Sequence, residues 1–81
     1  MREYIDFPTI YTFKIIGETN TPFAEAVDEL FASYADKSIV PQASSGGKYV
    51  SLSVTVELSD YEELEALYNK IAVLPGLKFH A

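Results

Sequence analysis

The residues best equipped for chemistry lie in one run, Ser44-Ser45-Gly46-Gly47-Lys48. Serine hydroxyls, glycine N–H groups and an ammonium could together cradle an anion. A phosphate loop, however, needs GxxxxGK[ST] between a strand and a helix, and that spacing is missing. The plainer reading is a tight turn between two strands, because paired glycines tolerate positive φ. A second group follows at alternate positions: Tyr49, Ser51, Ser53 and Thr55, matched earlier by Thr12 and Lys14. On one sheet face these would form a hydroxyl-rich platform around a single cation. Its plainer reading is a solvated face, common in antiparallel sheets. A third candidate is the loop with Gly17, Asn20 and Thr21, where N–H groups opening a helix would suit a carboxylate. There the plainer reading is a connecting loop that carries a helix cap.

Other chemistries lack their residues. The chain has no cysteine, so disulfides, thiolate metal sites and thiol catalysis fall together. Its one histidine, His80, falls far from the serines in the chain and reads as an outward strand residue. A serine nucleophile needs an activating base within hydrogen-bond reach, and none is in view. The acids Asp60, Glu62, Glu63 and Glu65 open a helix, where negative charge is favourable without any metal. The expectation is a protein that is not an enzyme and holds no metal or cofactor.

Composition narrows the partners. The 81 residues suffice for one domain and carry a net charge of −6. Such a surface repels nucleic-acid phosphates. No apolar run reaches the roughly 18–20 residues of a membrane helix. The N-terminal segment carries acids and does not read as a signal peptide. A cytoplasmic protein without nucleic-acid or membrane partners is expected.

The elements that position the candidates follow from periodicity. Thr9 to Ile16 alternates, with Tyr11, Phe13 and Ile15 on one face and Ile10, Thr12, Lys14 and Ile16 on the other. Thr21 is placed as an N-cap and Pro22 at the first helical position. Phe23, Val27, Leu30, Phe31 and Tyr34 then form a helical stripe ending near Asp36. Ser38 to Ser44 reads as an edge strand, because Pro41 cannot donate to a ladder. Tyr49 to Leu58 alternates strictly, with Val50, Leu52, Val54, Val56 and Leu58 inward. Ser59 and Glu62 read as a capping box for a helix along Leu64, Leu67, Tyr68, Ile71 and Leu74, stopped by Pro75-Gly76. The last strand, Leu77 to Ala81, places Leu77 and Phe79 inward and Lys78 and His80 outward.

Residues 1–7 read as an N-terminal arm and 8–81 as one domain with elements β-α-β-β-α-β. Both strong strands show one apolar face, so the two helices must cover the same side of the sheet. Right-handed crossovers then favour a ferredoxin-like α+β sandwich with antiparallel sheet order 4-1-3-2.

Three segments carry a resemblance. They are Phe13-Lys14-Ile15-Ile16-Gly17, the stretch Ser44 to Val56 (SSGGKYVSLSVTV), and Leu67-Tyr68 with Leu74-Pro75-Gly76-Leu77-Lys78. Together they resemble the YbeD-like family of small bacterial proteins of unknown function. The resemblance implies a ferredoxin-like fold close to the ACT regulatory domains, which bind small ligands at dimer interfaces. It implies no activity. The reading taken forward is therefore a non-catalytic regulatory or ligand-sensing domain, dimeric as ACT domains are. The alternative is a protein-interaction adaptor using the open sheet face or an edge strand. Ile10 and Ile16 beside the hydroxyl platform favour a protein partner for that face.

Overall fold

The computed structural model describes residues 6–43 and 46–80. Ser44 and Ser45, the first two candidates of the hairpin turn, lie outside them. The elements run β1 (Thr9–Glu18), α1 (Phe23–Leu30), β2 (Ser38–Ala43), β3 (Tyr49–Leu58), α2 (Tyr61–Ile71) and β4 (Leu77–His80). The sheet order is β2-β3-β1-β4, with every pairing antiparallel. This is the expected ferredoxin-like order read from the other edge.

Alternation explains the central pair. β1 and β3 pair in unbroken register from Thr9 opposite Leu58 to Glu18 opposite Tyr49. Period-two geometry then sends Phe13, Ile15, Leu52, Val54, Val56 and Leu58 to one side. Their side chains meet Phe23, Val27 and Phe31 from α1 and the turn after it, and Leu64, Leu67 and Ile71 from α2. Complete burial of an aliphatic or aromatic side chain stabilises by roughly 1.5–3 kcal/mol. Phe7 packs against the edge of this core, while residues 1–5 of the expected N-terminal arm lie outside the described residues.

Three local readings are corrected. Thr21 does not cap α1: Pro22 occupies the cap position, and the Thr21 hydroxyl donates instead to the Glu18 carbonyl at 2.7 Å. The α-helix stops at Leu30, and Phe31 to Ser33 continue as a turn that leads to Tyr34. The stripe still works, because Phe31 is fully buried and Tyr34 packs on the core. At α2 the capping box sits one residue later than the sequence suggests. Asp60 is the cap and accepts from the Glu63 N–H at 2.8 Å, while Glu63 accepts from the Ser59 N–H at 2.8 Å. That register frees the second oxygen of Glu63 for the Tyr34 hydroxyl.

The fourth correction is the face of β4. Leu77 lies opposite Gly17, but Phe79 lies opposite Ile16 and His80 opposite Ile15. The extra β4 residue, Lys78, makes a bulge between Ile16 and Gly17 that reverses alternation. Phe79 therefore joins the open face. His80 turns toward the core side, its ring 5.9 Å from that of Tyr68 and its Nδ1 buried without a hydrogen-bond partner.

Two tyrosines tie the helical layer to its surroundings. Burial first, then the hydrogen bond and charge of Glu63, pushes the Tyr34 hydroxyl from 10.0 up to about 12. Burial first, then the Tyr11 hydroxyl at 2.5 Å, pushes Tyr68 from 10.0 up to about 12. Each raised value means that the folded state holds the phenol proton more tightly than the unfolded chain. The associated stability is complete below pH 10 and is lost as pH rises through 12. Circular dichroism during alkaline titration should show unfolding steepen in that window. The double variant Tyr34→Phe, Tyr68→Phe should show a shallower slope there, and an identical slope would refute this account.

Candidate functional site

The three candidate groups occupy two connected places. The hairpin and the loop after β1 meet at one end of the sheet. Gly46 and Gly47 have φ of 91° and 70°, the left-handed conformation their turn requires. The Thr19 hydroxyl donates to the Gly47 carbonyl at 2.7 Å and to that of Lys48 at 3.2 Å. The Thr19 N–H also donates to the Lys48 carbonyl, and the Glu18 N–H to that of Gly76. This end of the molecule is thus cross-tied by its own backbone. Thr21 is occupied with Glu18, Gly17 is buried, and Asn20 and Lys48 are exposed.

The remaining candidates do share one surface. Opposite pairs across the open face are Thr12 with Thr55, Lys14 with Ser53, Ile16 with Ser51, and Glu18 with Tyr49. The hydroxyls of Thr12 and Thr55 bond each other at 2.9 Å. Lys14 is exposed, whereas Ser51, Ser53, Thr55 and Tyr49 are half-buried. At one corner the Lys78 ammonium lies 5.8 Å from the centre of the Tyr49 ring, within cation–π range.

Sequence reasoning missed two members of this face. Val40 on β2 pairs with Ser53, and Phe79 on β4 pairs with Ile16. Ile10, Val40 and Phe79 are 66%, 58% and 57% exposed. The β2–β3 register sets Val40's side: its neighbours Ile39 and Pro41 pair with the inward Val54 and Leu52, so Val40 faces outward. Phe79 was not legible, because the bulge that turns it out has no sequence signature of its own.

At the Ile10 end of the sheet, a cleft of about 210 Å³ opens beside Tyr34, Asp36, Lys37 and Glu57. Among the described residues no three His, Cys, Asp or Glu side chains converge as metal ligands. No helix of the described residues is long and apolar enough to cross a membrane.

The fold and this solvent-facing sheet define a ferredoxin-like βαββαβ domain with two helices on one side. A family model described as "Protein of unknown function (DUF493)" matches residues 2–80. The chain belongs to that family, which is the YbeD-like family its sequence resembles. A UPF0250 protein of Pectobacterium atrosepticum is 33% identical over 73 residues, covering 88% of this chain and 84% of that protein. A UPF0250 protein of Shewanella amazonensis is 30% identical over 78 residues, covering 94% and 89%. Among solved structures, the solution structure of protein HP0495 from H. pylori superposes with a TM-score of 0.76 at 18% identity, covering 99% of this chain and 88% of that one. At that identity the likeness concerns the fold.

Proposed function

We propose that the chain is a non-catalytic, cytoplasmic interaction domain that docks another protein on its open sheet face. One observation carries the reading. Among the described residues, Ile10, Val40 and Phe79, three of the five exposed large apolar side chains, lie on that face, with Ile16 beside Phe79 and Ile10 at the far end of β1. Exposed apolar side chains scattered singly need no explanation, but their concentration on one face marks a contact surface. The hydroxyls between them supply polar contacts without bulk, as an interface around apolar anchors requires. Sensing of a small ligand draws support from the likeness to ACT domains and the hydroxyls of the open face, but not from the first loop, where the Thr19 and Thr21 hydroxyls already donate to the chain's own carbonyls. Fold analogy does not specify a function.

The test is affinity capture from native cells with the wild type and with Lys14→Glu, Ser53→Arg and Phe79→Ser. All three positions lie on the face, so the variants should fold as the wild type does. Truncating an aromatic anchor at an interface weakens binding by roughly tenfold or more, and each variant is expected to lose captured protein on that scale. If all three variants retain every partner, the open face is not the interface.

A further inference from the structure

We infer that the partner of this face presents a carboxylate, set among apolar side chains, to Lys14. The inference rests on the docking reading above and adds the chemistry of the partner.

Lys14 stands on the central strand β1, opposite Ser53, with Val40 beyond Ser53 and Ile16 two residues along. Phe79 neighbours Ile16 from the other side. Lys14 is exposed and makes no ion pair among the described residues. The face's acids stand at its two ends: Glu57 opposite Ile10, and Glu18 opposite Tyr49. Each end is four residues from Lys14 along β1, or about 13 Å at strand rise. Along β1 the face therefore reads negative, positive, negative, with the Lys78 ammonium over the Tyr49 ring beside the Glu18 end.

A protein that covers Ile16, Val40 and Phe79 also covers Lys14. Excluding water from an ammonium without giving it a counterion is strongly unfavourable. The partner must therefore bring an acceptor, and the charge pattern selects which. Glu57 on the same face, and a net charge of −6, oppose a phosphate or a polyanion, while Lys78 stands beside Glu18 at the other end. A single carboxylate answers Lys14 and leaves the two ends to neutral or basic groups.

The same pattern argues against a second copy of this chain. Two open faces brought together about a central two-fold would set one Lys14 against the other. The helical layer does offer acids: α1 carries Glu25, Asp28 and Glu29 with no lysine or arginine. Docking one copy's helices on another's sheet, however, is a head-to-tail contact, which builds a ring where its rotation closes and a filament where it does not. The partner inferred is therefore a different protein, and crosslinking of Val40 to a second copy of this chain would overturn that choice.

The test starts with the full chain carrying a photo-crosslinking residue at Val40 in native cells, with exposed Val73 on the other layer as the control position. The protein captured at Val40 is purified, and its affinity is measured for wild type, Lys14→Met and Lys14→Glu. Removing one member of a buried charge pair is expected to weaken binding roughly thirty-fold or more, and reversal to weaken it further. Replacing the partner's matching acid by lysine should restore binding to Lys14→Glu. If Val40 crosslinks but Lys14→Met and Lys14→Glu bind as the wild type does, the carboxylate inference fails and the docking face survives. If reversal weakens binding but no acid-to-lysine change in the partner restores it, the carboxylate inference again fails. If Val40 captures no more than Val73, the docking face fails, and the inference falls with it.

Discussion

Phe13→Ala is expected to cost about 3–5 kcal/mol, the range for truncating a buried aromatic ring. Phe13 is fully buried. Its ring lies 4.9 Å from Tyr11, 5.3 Å from Tyr68 and 5.8 Å from Phe31, so it joins β1 to α2 and to the turn after α1. Deletion leaves a cavity where the two helices meet the sheet. These walls cannot close easily, because β1 is locked to β3 across ten opposed pairs. At about 0.05–0.15 kcal/mol per residue, a chain of 81 residues has only about 4–12 kcal/mol of stability to lose. The variant should therefore lose a large fraction of that stability and unfold at a much lower urea concentration. Thr12→Ala, one position away on the open face, should lose less than about 1 kcal/mol, since it removes only one hydroxyl contact. Urea titration of both variants checks the contrast. Equal midpoints for Phe13→Ala and the wild type would refute the assignment of the core to this side of the sheet.

That contrast between neighbours shows why so much of the fold was legible. In β1 and β3, one side is water and the other is core, so the side-chain period of two writes burial directly into residue type. Both strands come from the middle of the sheet, where each is held on two sides and cannot slip. β4 broke the rule because it is held on one side only. The Lys78 bulge inserted a residue, and Leu77-Lys78-Phe79-His80 then read with the wrong faces for its last two members. The same reversal hid Phe79 from the open face and brought His80 beside Tyr68. The helix ends failed for a related reason. Thr21 and Ser59 have cap chemistry, but caps are settled by which carbonyl or N–H the tertiary structure brings near. Thr21 meets the Glu18 carbonyl, and with Asp60 as the cap Glu63 bonds both the Ser59 N–H and the Tyr34 hydroxyl. Of the candidate sites, the platform of Thr12, Lys14, Ser51, Ser53 and Thr55 was legible as a single face because alternation alone defines it. That the loop hydroxyls of Thr19 and Thr21 are spent internally depends on contacts spanning 28 and 3 residues, and only the latter is local enough to read from sequence.

Gly17→Ala should test whether the loop end of β1 is a binding site or a packing joint, and it is expected to destabilise by about 1–3 kcal/mol. Gly17 was a candidate ligand residue because it borders the first loop. In the fold it is a buried strand residue, opposite Val50 on β3 and Leu77 on β4. A Cβ added there would stand 2.3–2.4 Å from three carbons of the Phe23 ring. That ring is fully buried at the start of α1, among the same core side chains as Val27 and Phe31, so it has little room to turn aside. Relief therefore requires α1 to move away from the sheet, which loosens the packing of the whole first helix. Asn20, exposed at the tip of the same loop, has no such neighbour, and Asn20→Ala should leave stability within about 0.5 kcal/mol of wild type. Thermal melts of the two variants separate the readings. A ligand-binding glycine would tolerate a methyl group in the ligand-free protein and lose stability only relative to the bound form. A packing glycine loses it outright. If Gly17→Ala melts within a degree of the wild type, the close approach of Phe23 does not constrain this position, and the loop returns as a ligand candidate.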